Sequence, residues 1–194
     1  MTSGQRVTLG YKSVERSPFH GGGDKPMPPA SGETKQAYPI DLTLGIAIDA
    51  NNFIVPSFTK VAHQDREVRI VADGSLDIRI PYDKGLCRFT ITLDSHQWIF
   101  DNVGHDVMTF AEDVPDDVVT KYYPRYKQMS PMSFQFDALP IDVGGDKTIP
   151  ALHHSFNLYV KLLQPNGATP LALRIDPDII NPGNHPLEYS WKNE

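Results

Sequence analysis

"IDLTLGIAID", Ile40 to Asp49, is the stretch that decides how this chain folds. Ile40, Leu42, Leu44, Ile46 and Ile48 occupy every second position, and the residues between them are polar or small. A period of two belongs to a strand with one buried face, whereas an amphipathic helix needs apolar residues three and four apart. The stretch therefore predicts a half-buried strand that needs a second layer to cover its aliphatic face.

Reading toward the C-terminus, the same grammar repeats. Ala50 to Asn52 supply a turn before "FIVPSFTKV". "REVRIVA" (66–72) and "LDIRIP" (76–81) flank Asp73 to Ser75, a hairpin signal. "LCRFTITL" (86–93) and "QWIF" (97–100) read as strands, as does "MSFQFDAL" (132–139). "SFNLYVKLL" (155–163) and "PLALRID" (170–176) are joined through the turn step Asn166-Gly167. One segment, "PDDVVTKYYPRY" (115–126), has helical character, with Asp116 and Asp117 as candidate caps and an end before Pro124. Short strands separated by Gly, Pro and Asn turns predict an all-β protein, an Ig-like or jelly-roll-like β-sandwich.

Reading toward the N-terminus, the grammar stops. Glu15 to Pro39 holds four glycines and five prolines in 25 residues, which no regular element survives. Residues 6–14 ahead of it could form one short strand. The expected organisation is an extended Gly/Pro-rich arm, 1–39, followed by a β-sandwich domain, 40–194. Ordering such an arm costs on the order of 1 kcal/mol per residue. Its few apolar side chains do not repay that alone, so the arm is expected to lie against another subunit and make a homo-oligomer, with Val7 and Leu9 packing there. Strand addition by residues 6–14 would also cover a sheet edge.

Composition excludes some function classes. A net charge of −6 with scattered Lys and Arg gives no nucleic-acid surface. No apolar run is long enough for a membrane span or a signal-peptide core, and the single cysteine, Cys87, allows no intrachain disulfide. A cytoplasmic location is the expectation. There is no G-x-S-x-G, H-E-x-x-H, C-x-x-C or phosphate-loop frame, and Cys87 sits in mid-strand where a buried thiol is inert. "DVGGDKT" (142–148) reads as a Gly-Gly turn. Adjacent His153 and His154 would point to opposite faces of a strand, and His96 and His105 flank a loop; surface or capping roles suit all four.

Two constellations stand out. Tyr122, Tyr123, Arg125 and Tyr126, with Met129 nearby, have the composition of an interface, and tyrosines also stack on sugar rings. "IDPDIINPGNHP" (175–186) places Asp176 and Asp178 on one face of an extended chain, with Asn181 as a third oxygen donor that calcium would favour. Pro177 and Pro182 withhold ladder donors, so ending the last core strand is the preferred role of that stretch, and no metal or cofactor is assigned. The strand exit "LALRIDPDIINPG" resembles the C-terminal signature of the DP-EP family of small bacterial β-sandwich proteins, an acid-Pro-acid-aliphatic-x-Asn run matched by Asp176, Pro177, Asp178, Ile179 and Asn181. The family's second acid-Pro pair is replaced here by Asn181-Pro182. The resemblance implies the sandwich fold and no particular activity. The functional expectation is a non-catalytic binding or self-assembly module. The alternatives are a lectin-like carbohydrate or small-ligand binder and a hydrolase assembled across distant strands.

Overall fold

The computed structural model describes residues 10–11, 25–26, 37–51, 53–60, 78–81, 84–102, 106–141, 152–164 and 168–181. Its strands run in chain order: β1 (Gly10–Tyr11), β2 (Lys25–Pro26), β3 (Tyr38–Ile48), β4 (Phe53–Lys60), β5 (Ile78–Arg79), β6 (Cys87–Leu93), β7 (Trp98–Phe100) and β8 (Met108–Phe110). After the helix α1 (Asp116–Tyr122) come β9 (Arg125–Ser130), β10 (Ser133–Ala138), β11 (Leu152–Leu162), β12 (Leu171–Ile175) and β13 (Asp178–Asn181). The expected strand 66–72, its turn at 73–75, the 142–148 turn, the Asn166-Gly167 turn and most of the arm lie outside the described residues.

The decisive stretch behaves as its period requires from Ile40 to Ile46, but Ile48, expected on the buried face, is 51% exposed at the strand's end. Ile40, Leu42 and Leu44 are fully buried, and Asp41, Thr43 and Gly45 face the other way, half-buried. A six-stranded sheet forms around it in the order β1-β4-β3-β6-β10-β9. In β6 the inward set is Cys87, Phe89, Ile91 and Leu93, which settles a facing that the sequence left ambiguous. Phe134 and Phe136 continue the buried face on β10, and the Phe89 and Phe136 rings stack at 5.0 Å.

The second sheet has seven strands, in the order β2-β8-β11-β13-β5, with β7 and β12 also on β11. Phe156, Leu158 and Val160 of β11 meet the first sheet's aliphatics in one core. Phe100 of this sheet crosses to Phe134 of the other edge-to-face at 4.9 Å, the favoured geometry for aromatic pairs. Parallel pairs (β3 with β6, β1 with β4, β13 with β5) and antiparallel pairs occur together, so both sheets are mixed. The all-β, sandwich-like expectation holds.

Both flanks of β11 are interrupted, each differently. On one side Leu158 faces Ile175 in β12 and Ser155 faces Asp178 in β13, three residues further in each strand, so the register never slips. Only the ladder pauses at Asp176 and Pro177, where the prolyl nitrogen has no proton to give but its carbonyl still accepts from the Phe156 amide at 3.0 Å. The expectation that Pro177 ends the last strand is therefore corrected. A strand that loses one donor can rejoin its neighbour when its apolar positions, Ile175 and Ile179, still face the core. On the other side, β7 and β8 are separated by a loop closed on Tyr159, whose carbonyl accepts from Asp101 N and whose amide donates to Val107 O.

Candidate functional site

Two polar clusters are built into this apolar framework. The first crosses three strands of the six-stranded sheet. Asp137 on β10 pairs in register with Arg88 on β6 and Arg125 on β9, all three on the face turned away from the core. Asp137 is wholly buried beneath them. Arg88 Nε donates to Oδ1 at 2.8 Å and Nη2 to Oδ2 at 3.0 Å, a bidentate charge-assisted pair that raises the already high guanidinium pKa against the cost of desolvation. Arg125 Nη1 lies 3.6 Å from Oδ1, too far for a hydrogen bond, and is buried without any hydrogen-bond partner. The surrounding face is a polar ladder: Gln135 donates to Thr90 and Thr92 to Ser133.

The second cluster is neutral and lies in the core. Tyr123, at the end of α1, is fully buried, and its hydroxyl is 2.6 Å from Nδ1 of the buried His154 on β11. Burial pushes the phenol pKa far above its ordinary value, with a hydrogen bond from Asn181 acting the other way. A phenol held neutral keeps its proton for a hydrogen bond with the His154 ring, and neither partner brings a charge into the core. Asn181 completes the cluster: its Oδ1 accepts from Ile141 N at 2.9 Å and its Nδ2 donates to Leu139 O at 3.0 Å. These bonds tie α1, β11, β13 and the exit from β10 into one unit.

The candidates read from the sequence are thus dispersed. Tyr122 and Tyr123 end α1, whereas Arg125 and Tyr126 open β9, so no single tyrosine surface exists. Tyr123 is in the core, and Tyr126 turns its ring toward Phe134, with its hydroxyl accepting from Val107 N at 3.3 Å. Burial pushes the Tyr126 pKa up to about 12. Tyr122 is half-buried, and Lys121 lies over its ring. Met129 is half exposed because a register irregularity of β9 against β10 leaves it unpaired between Gln128 and Ser130.

Asp176 and Asp178 do share a face, the outer one of the second sheet, as alternation requires. Asp176 is exposed, and Asp178 accepts from Ser155 Oγ at 2.8 Å. Asn181, an odd number of residues further on, falls on the inner side and is 1% exposed, so the three oxygen donors weighed as a calcium site do not come together. Among the described residues no group of three or more His, Cys, Asp or Glu could hold a metal ion. Cys87 is buried, with its thiol near Gly85 O. The N-cap of α1 is Pro115 and neither aspartate, so the expected capping role is corrected: Asp116 and Asp117 sit in the first turn, where the helix dipole favours acids. His154 is a buried core residue and not the surface or capping histidine expected; the His153 side chain and His105 lie outside the described set.

Asp137 and Arg88 were not singled out by motif reasoning, and His154 was weighed only as a surface or capping residue. An acid alternating with Phe134 and Phe136 in "SFQFDAL" was the available signal, but only strand pairing shows which cations flank it.

The edges complete the geometry. β1 lies parallel on β4, Gly10 opposite Phe53 and Tyr11 opposite Ile54, and β2 lies antiparallel on β8, Lys25 opposite Phe110. Two short pieces of the arm therefore dock by backbone pairing, one on each sheet. No family model matches this chain, and neither a curated protein nor a solved structure does. No helix among the described residues is long and apolar enough to cross a membrane.

Proposed function

We propose that this protein is a non-catalytic β-sandwich module that assembles with further copies of itself by strand addition at its sheet edges. The observation that carries this reading is the docking of β1 on the edge of β4. Pairing there uses backbone groups, so an identical segment from a second copy makes the same bonds, as in exchange of an arm between subunits. Beyond Ile54, β4 has β3 as its only strand partner among the described residues, and Val55 is 38% exposed. An edge of that kind invites a strand. Only two residues of β1 pair with β4, which is little to hold an arm on its own chain.

The resemblance to the DP-EP family fits the sandwich and leaves this role open. A lectin-like or small-ligand role draws less support, because Tyr123 and Tyr126 spend their rings on the core. Sedimentation velocity of the full chain and of a chain lacking residues 1–36, at matched concentrations, is the test. The full chain should sediment as a concentration-dependent oligomer and the truncated one as a monomer. Two monomers would overturn self-assembly in favour of a monomeric ligand binder.

A further inference from the structure

The charged row on the six-stranded sheet has more positive charge than its carboxylate can meet. Asp137 spends both oxygens on Arg88, at 2.8 and 3.0 Å. Arg125, with 16% of its side chain exposed, is left with a 3.6 Å approach to the same carboxylate and a buried Nη1 that makes no hydrogen bond. Two residues along β9, on the same face and about 7 Å away by strand geometry, Lys127 is exposed and enters no ion pair among the described residues. On β3, Pro39 stands opposite Arg88, and Asp41, opposite Thr90, ends the neighbouring row Lys127–Gln135–Thr90 three strands away from Lys127. Among the described residues the β9 end therefore gathers two arginines and a lysine around one carboxylate, in a protein whose net charge is −6.

A guanidinium taken largely out of water is costly unless an anion meets it. A chain of negative charge that keeps two arginines and a lysine around a single carboxylate concentrates a local field for anions. We infer that Arg125 and Lys127, at the β9 edge of this polar face, form a binding site for a phosphate-type dianion, with Asp137 and Arg88 holding the Arg125 guanidinium in place. Two cations suit a dianion better than a carboxylate. The Arg125 N–H groups other than the buried Nη1 donate to the anion's oxygens, and the lysine ammonium supplies a point charge beside them. Gln135, opposite Lys127, and Thr90 beyond it extend the face with neutral polar groups that a phosphate ester's remaining hydroxyls could meet.

The site does not depend on arm exchange, and the test separates the two. Inorganic phosphate and, in parallel, acetate are titrated into the full-length protein at constant ionic strength, with binding followed by calorimetry and by the melting temperature. Phosphate should bind saturably at one site per chain and acetate much more weakly. Arg125→Gln should weaken phosphate binding by about tenfold or more, the loss a charge-assisted hydrogen bond carries. Lys127→Gln, at an exposed position where folding is not at risk, should weaken it several-fold and reduce its salt dependence. The proposal is overturned by the absence of saturable binding. It is equally overturned by phosphate and acetate binding alike, or by Lys127→Gln binding phosphate as the parent does. A non-saturating rise in melting temperature shared by all variants would also count against it, since phosphate stabilises folded proteins generally by exclusion from their surface.

Discussion

The two buried polar clusters solve the same problem in opposite ways. Tyr123, His154 and Asn181 are neutral, lie between the sheets, and meet one another and the backbone of Leu139 and Ile141. Arg88, Asp137 and Arg125 are charged, lie on the outer face, and leave Arg125 Nη1 without a hydrogen bond. The difference teaches where to look for function in a fold without motifs. A cluster that partners itself does structural work, whereas one with donor capacity and charge left over has something to offer a ligand.

The sharpest way to break this contrast is Asp137→Ala. It leaves two largely buried guanidinium groups facing each other, and losing one partner of a buried pair costs about 3–5 kcal/mol. Urea denaturation should show a loss of that order. A loss under about 1 kcal/mol would mean that water already solvates the arginines and that the row is an ordinary surface pair.

Tyr123→Phe should cost less, about 1–3 kcal/mol, because a buried hydrogen bond to the His154 ring is lost. Pairing it with His154→Phe in a double-mutant cycle sharpens the point. Coupling beyond about 0.5 kcal/mol is expected, and strict additivity would show that the 2.6 Å bond contributes nothing to stability.

The smallest effect is at alkaline pH. Tyr126 is raised to about 12 by burial, while an unfolded tyrosine titrates near 10. The neutral phenol is thus favoured by the fold. Its contribution is fully present below about pH 10 and is lost as pH rises toward 12. Phenolate absorbance of the protein and of Tyr126→Phe should differ by a late-titrating component. If the component missing from the variant titrates near 10, Tyr126 is not held as described.

The period-two runs made the sandwich legible: among the described residues, Ile40 to Ile46 and the apolar positions of β6, β10 and β11 appear where their alternation demands. Four of the described strands were not legible. β2, Lys25–Pro26, lies in the Gly/Pro-rich stretch expected to hold no regular element, yet it pairs with β8. β8, "MTF", is only three residues long, and all three are buried, so it shows no alternation. β9 follows Pro124 in a stretch whose tyrosines draw attention to a surface. β13 lies beyond Pro177, where a proline is ordinarily taken as an end. The charged row was illegible for another reason: Arg88, Arg125 and Asp137 are meaningless as neighbours until β9, β10 and β6 are known to lie side by side. Asn181 shows the complementary error, since its chemistry suggested a ligand oxygen while its parity along the strand turned it inward.

The central claim, that the edge of β4 receives an extended arm which copies of the protein can exchange, is most directly tested by a crosslink. Gly10 and Phe53 are register partners, and neighbouring strands lie within the spacing a disulfide spans. The only native thiol, Cys87, is buried and does not compete. Gly10→Cys with Phe53→Cys, oxidised across a concentration series and run without reductant, should give disulfide-linked dimers whose yield rises with concentration. Crosslinked monomer alone at every concentration would contradict the exchange, and free thiols throughout would contradict the docking of the arm on β4 itself.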